Sequence, residues 1–485
     1  MRKSVLALSV ISLLGLSPVH AAGVTEKQFQ ALEARIAKLE ASEAVLRQQA
    51  ADANAAAQAA QTELARIKGT PPNGQPPAIA TQSTESEIDA LAATPVEAAA
   101  AASPATDVTS ETASVALPAG TESGSSNANA FNPSISIILN GSYSHHSLDP
   151  AAYVRSGFPL AGEAGPSANG FSLGESELSF ASNIDEKFYG QLTMTAHSDN
   201  GADHIGVEEA FIDTTALPAG FSLRMGRFYS NIGYLNSHHA HTDNFFDRPL
   251  PYQAFLGNQY GDDGVQLRWV APTATYLEFG GEAFRGEGFP SGGAQHGGVG
   301  THTLFAHVGG DVGTENSWLA GLSMLRTKSV GAEDGFSGDT TLYIADGTWK
   351  WAPNGNTKDG GVTLRGEYIL DDRNGSFQDP SDPALSTLWN GQRRGAYIEG
   401  VYRLNRTWDL GYRYDRLWSD AGNPFAITAG NFDPYRHTAE LTWRNSEFSL
   451  VRLQLSHDKP NPFDTDNAIT VQYQTAMGAH GAHKF

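Results

Sequence analysis

Apolar and polar residues alternate with period two through most of the chain after Phe131. In the first stretch Ile135, Ile137, Leu139, Gly141 and Tyr143 interleave with Ser136, Asn140, Ser142 and Ser144, Ile138 being the one exception. Further on, Leu192, Met194 and Ala196 alternate with Thr193, Thr195 and His197. Val362, Leu364 and Tyr368 oppose Thr363, Arg365 and Glu367, and Ile469, Val471 and Tyr473 oppose Thr470, Gln472 and Gln474. One apolar and one polar face per segment of about ten residues is the pattern of a membrane-crossing β-strand. The pattern predicts about sixteen such strands in 131–485.

The connections between these strands alternate in length. Short ones fall at Asp185-Glu186, Pro218-Ala219, Pro272-Thr273, Thr314-Glu315, Asn405-Arg406 and Asn445-Ser446, with a longer one at 353–360. Between them lie mostly longer, polar segments at 146–170, 199–205, 230–261, 287–300, 328–340, 372–391, 419–434 and 459–466. Tight turns at one end and long loops at the other distinguish an outer-membrane barrel from a soluble sandwich. The expected fold is therefore an all-β transmembrane antiparallel barrel, preceded by an α-helical coiled coil.

The segments before the barrel follow other rules. Arg2 and Lys3, the apolar run Val5 to Leu16, Pro18 and the small residues around Ala21 read as a signal peptide over 1–22. In 23–68, Phe29, Leu32, Ile36, Leu39, Leu46, Ala50, Ala53, Ala57, Ala60, Leu64 and Ile67 hold heptad a and d spacing, with Glu43 the polar intruder. That stripe predicts a coiled-coil stalk. Residues 69–130 lose the periodicity and carry scattered prolines among Ala, Ser, Thr and Gly, the composition of a flexible linker.

Composition narrows the function. The chain of 485 residues has a formal net charge of -21 and no cysteine. Nucleic acid requires a basic surface, so it is not an expected partner. An exported chain without cysteine has no disulfide framework. No apolar run of about 18 residues follows the leader, so no membrane-spanning helix is expected. No nucleophile elbow, phosphate-binding loop or dinucleotide loop occurs; Gly174-Glu175-Ser176-Glu177 lacks the closing glycine. The chain is not expected to be an enzyme.

Three stretches carry a family resemblance. Met225-Gly226-Arg227-Phe228 ends a strand, Phe246-Asp247-Arg248-Pro249-Leu250-Pro251 follows in a long loop, and Gly261-Asp262-Asp263-Gly264-Val265-Gln266-Leu267 opens the next strand. In this order they resemble the phosphate-selective porin O and P family, with the likeness strongest over 225–267. The resemblance implies a trimeric sixteen-stranded channel in the outer membrane, with the third outside loop at 230–261 folded into the lumen as its constriction. That loop has one basic residue, Arg248, and no lysine, so phosphate selectivity is not carried over.

Two constellations could carry chemistry. His238, His239, His241 and Asp243 lie within six residues of the long loop, and imidazoles with a carboxylate are ligands for zinc or a similar ion. The plainer reading is polar pore lining. The second constellation is the charged lining itself. Glu175, Glu177 and Asp247 supply negative charge; Arg224, Arg248, Arg268, Arg365 and Arg413 supply positive. Opposed charges across a narrow channel set a transverse field.

Three functions remain open at this point. The first is an outer-membrane porin for small polar solutes or ions, with no cofactor. The second is a zinc or other transition-metal uptake channel. The third is a structural barrel tethered to the cell wall by its stalk.

Overall fold

The computed structural model describes residues 133–199, 202–292, 298–379, 382–420, 422–424 and 432–478. The segments expected to be a signal peptide, a coiled-coil stalk and a linker, and the terminal Phe485, lie outside the described residues.

Seventeen strands among these residues form a single sheet. They are β1 (Ser134–His146), β2 (Gly170–Leu173), β3 (Ser176–Asn183), β4 (Phe188–Asp199), β5 (Ala202–Thr214), β6 (Phe221–Tyr229), β7 (Gly261–Val270), β8 (Tyr276–Phe284) and β9 (Thr301–Val312). There follow β10 (Asn316–Ser329), β11 (Phe336–Trp351), β12 (Gly361–Asp379), β13 (Asp382–Arg403), β14 (Trp408–Ser419), β15 (Tyr435–Ser446), β16 (Ser449–Lys459) and β17 (Asp466–Gly478). Each strand from β3 to β17 pairs antiparallel with the next. β1 closes the ring against β17 on one side. On its other side it pairs with both β2 and β3, which are successive pieces of one stave. The result is a closed antiparallel barrel of sixteen staves, as the periodicity predicts. Closure leaves no stave at an open sheet edge among the described residues, although β2 pairs only with β1 and β5 joins β6 only over Ala210–Asp213.

The packing is the reverse of a soluble protein's. In β14 the outward Leu410 is 50% exposed, while the inward Asp409 and Arg413 are 2% and 1%. On β10 Leu322 is 68% exposed beside a buried Ser323. Apolar side chains face out and polar ones face in, as a barrel in lipid requires. Outward aromatics gather at the short-turn end. Trp269 stacks between Phe221 and Phe279, with ring centroids 6.1 and 6.0 Å away, and Trp408 stacks on Trp443 at 6.4 Å. Such a belt marks a membrane interface.

Two expected loops are shorter than the sequence suggests. Residues 372–391 are mostly not a loop. β12 and β13 continue in register from Asp372↔Gln392 to Gln378↔Ser386. Asn374, Gly375 and Ser376 read as turn residues, yet Phe377 and Trp389 on this extension pack with Phe336 of β11 and hold it straight. The 328–340 segment likewise shrinks to the few residues between Ser329 and Phe336.

Candidate functional site

The chain leaves the wall after Tyr229 and returns at Gly261, and those two residues pair with each other. The intervening segment lies inside the barrel. Its neck is tied by Asn236, whose Nδ2 donates to the carbonyls of Ser230 and Tyr260, both at 2.8 Å. Asn236 Oδ1 accepts from Tyr260 N at 2.7 Å. Beyond the neck lies α1 (Leu250–Leu256). Pro249 and Pro251 suit its first turn, where amide hydrogens have no helical partner. Gly257 ends it in the left-handed conformation, φ 60°. Leu250, Tyr252, Phe255 and Leu256 of α1 pack with wall residues such as Ile344, Ile369 and Leu417 in one buried cluster.

Polar contacts fasten the segment to the wall. Glu367 on β12 accepts from the backbone N–H of Tyr234 and of Leu235, each at 3.1 Å, and from the hydroxyls of Tyr252 at 2.8 Å and Tyr397 at 2.7 Å. Gly233 makes this approach possible. It sits at φ 62°, and a Cβ there would lie 2.5 Å from Glu367 Oε2. Asp247 bridges Arg413 at 3.1 Å and Arg436. Burial pushes its carboxyl up, but the two guanidinium groups outweigh that and hold it below the usual range. Arg452 donates to the carbonyl of Asp243 at 2.7 Å.

The predicted lining residues all occupy the inner face or the inward segment, and most are already paired. Arg224 grips Asp213 with two bonds of 2.8 Å. Arg268 faces Glu278 at 3.3 Å and Arg365 faces Glu399 at 3.1 Å. Arg248 turns back into its own segment, bonding Asp243 at 2.9 Å and the carbonyl of Leu235 at 2.7 Å. The arginines of the β12–β16 wall are thus largely engaged by carboxylates and by the segment.

The predicted histidine cluster divides. His238 stacks on Tyr234 at 4.6 Å with its Nδ1 2.7 Å from the Tyr234 carbonyl. Asp243 is taken by Arg248; burial pushes its carboxyl up despite Arg248 and Arg365. Neither joins the other two histidines, because the short helical turns at Leu235–Ser237 and Ala240–Thr242 point successive side chains apart. His239 and His241 instead reach the opposite wall. His241 Nδ1 lies 2.6 Å from Glu177 Oε1. His239 Nδ1 lies 3.3 Å from both Glu177 Oε2 and Glu208 Oε2, and its Nε2 lies 2.9 Å from Glu209 Oε2. Burial alone would lower the His239 pKa, but Glu177, Glu208 and Glu209 drive it well above the ordinary imidazole value.

Sequence reasoning missed Glu209. The reason is a β-bulge, in which Thr193 opposes Glu209 but Met194 opposes Val207, leaving Glu208 as the extra residue. Bulges of this kind re-aim side chains, and here two consecutive carboxylates reach the same imidazole. Strict period-two reading places one of them in lipid.

A cavity of about 800 Å³ lies at the long-loop end of the barrel, bordered by Glu175, Glu208, Tyr229, Ala240 and Asp247. Among the described residues its lining holds nine carboxylates and three arginines. Charge of one sign on low-dielectric walls is focused into the space between them.

No protein-family model matches the chain. An uncharacterized protein of Aquifex aeolicus (strain VF5) is 30% identical over 392 residues, which are 73% of this chain and 80% of that one. The chain belongs to the family of that Aquifex protein. Among solved structures, OmpT of Vibrio cholerae in its trimer form is 11% identical with a TM-score of 0.46, covering 71% of this chain and 99% of that one. The outer membrane channel DcaP of Acinetobacter baumannii is 11% identical with a TM-score of 0.45, covering 71% and 97%. An anion-selective porin from Comamonas acidovorans is 11% identical with a TM-score of 0.45, covering 71% and 99%. The barrel assignment stands on the strand register and not on these likenesses.

Proposed function

We propose that the chain is an outer-membrane channel through which small polar solutes and ions diffuse, with the inward segment at 230–260 as its constriction. The observation that carries this reading is the inside-out barrel: lipid-compatible side chains outside and a charged, hydrogen-bonding surface inside. A structural tether has no use for a lumen lined this way.

The charge distribution supports a preference for cations. The wall arginines at 224, 268, 365 and 413 each face a carboxylate, so these four do not form a ladder of open guanidinium groups for phosphate. The cavity at the long-loop end has excess negative charge, and rings of carboxylates favour cations. A trimer is the proposed assembly, on the strength of the heptads in 23–68 and the resemblance over 225–267.

Planar-bilayer recording from the purified full-length protein tests the reading. Stepwise conductance with a reversal potential shifted toward the cation potential is expected. A protein that inserts but passes no current would leave the tether as the better account.

A further inference from the structure

His239 and Glu208 meet inside the barrel at 3.3 Å, longer than a good charge-assisted hydrogen bond. His239 Nδ1 and Glu208 Oε2 are both buried, and neither makes a well-formed hydrogen bond. They face each other at 3.3 Å, and His239 Nδ1 stands at the same distance from Glu177 Oε2. Two donors bound to one tetrahedral zinc at about 2.0–2.1 Å each lie about 3.3 Å apart. The two atoms are therefore spaced as ligands of a shared ion.

The other atoms of these side chains are fixed by separate bonds. Glu208 Oε1 accepts the hydroxyl of Tyr229, which leaves Oε2 directed inward. Glu209 Oε2 lies 2.9 Å from His239 Nε2. A proton on that nitrogen leaves the Nδ1 lone pair free, the carboxylate–histidine arrangement that orients imidazole ligands in metal sites. Donor atoms of Glu177, His239 and His241 all fall within 4.8 Å of one another, as do those of Glu175, Glu177 and Glu208. Glu177 and Glu208 face histidine here rather than lysine or arginine.

We propose that Glu177, His239 and His241, with Glu208 as a fourth donor, bind a divalent transition-metal ion of the zinc class inside the barrel. Two imidazoles with carboxylates favour zinc, cobalt, nickel or copper over magnesium and calcium. Glu208 also borders the cavity at the long-loop end, which gives the ion a route to the site. Because Glu177 and Glu208 belong to the wall side and the histidines to the inward segment, a bound ion cross-links the two. The inference deepens the channel reading by naming a ligand class for its lumen.

Cobalt titration of the untagged, full-length protein in detergent tests the site without requiring conductance. Saturable visible absorption of four-coordinate Co2+, abolished by added Zn2+, is expected. Glu177→Gln, His239→Gln and His241→Gln should each weaken binding by at least about tenfold, and His238→Gln should leave it unchanged. Heat-dependent gel migration confirms that each variant is folded. If a folded wild-type protein shows no such absorption, or if the His239→Gln and His241→Gln variants bind as tightly as wild type, the proposal is overturned. Binding intact in a protein that passes no current would remove the channel reading and leave the site standing.

Discussion

The hydroxyl of Tyr252 donates to Glu367 at 2.8 Å, joining the helix inside the barrel to the wall that surrounds it. The same carboxylate accepts two backbone N–H groups from the inward segment. Glu367→Ala strands these buried donors. Loss of charge-assisted bonds of this kind costs about 1.5–3 kcal/mol. The variant should lose heat resistance, and its inward segment should become cleavable by protease while the wall stays intact. Unchanged cleavage would show that the apolar cluster alone holds the segment.

Gly233→Ala should reproduce that phenotype without removing any polar group. The added methyl meets Glu367 at 2.5 Å and the Tyr252 hydroxyl at 2.7 Å, on a backbone already at φ 62°. A wild-type melting curve and protease pattern would contradict the packing described for this turn.

Acid should release the segment only at low pH. Burial pushes the Asp247 carboxyl up, and Arg413 and Arg436 outweigh it and hold the group low; the same two guanidinium groups also face Asp415 and Asp458. Asp334 is depressed by Arg373 and Arg393, again against burial. A carboxyl depressed on folding stabilises fully above its unfolded value, about 3.9, and loses that contribution as pH falls through the folded value. Protease resistance should therefore be lost only below about pH 4, because the raised Asp243 carboxyl, which takes up its proton above that, favours the folded segment as pH falls. A transition centred near pH 6 would point to other groups.

Glu163→Gln combined with Glu287→Gln should reduce cation selectivity, read as a smaller reversal potential across a salt gradient. Both residues border the acidic cavity. The difference from wild type should fade toward 1 M salt, where the screening length falls to about 3 Å. Selectivity unaltered at low salt would place the selecting charge elsewhere.

Leu322→Arg separates a membrane barrel from a soluble one. An exposed leucine on a soluble protein tolerates such a change within about 0.5 kcal/mol. On a lipid face near the bilayer midplane it costs about 2–4 kcal/mol. Denaturant unfolding in lipid vesicles should show the larger figure.

Much of the barrel is legible in the sequence because its outer face has one simple requirement. Leu364 and Tyr368 alternate with Arg365 and Glu367 because lipid lies on one side and water on the other. The site was less legible, for local reasons. The register shift between Thr193 and Met194 turns Glu208 and Glu209 together, which no fixed period anticipates. His238 and Asp243 are close in sequence to His239 and His241 but are claimed by Tyr234 and Arg248. Glu177 is more than sixty residues away and meets the histidines only when the segment folds across the lumen. The continued pairing of 372–378 with 386–392 was hidden by turn-forming residues whose choice is overruled by Phe336, Phe377 and Trp389.

Tyr229 and Gly261 pair on a single rung, so everything between them leaves the wall and returns at the same place. The sixteen staves close without help from that stretch, and Asn236 seals its neck from within. The segment is therefore an exchangeable cassette. Descendants of this chain can acquire a different filter by rewriting these residues together with the few wall side chains that clasp them, such as Glu367, Arg413 and Arg452, with the lipid surface inherited unchanged.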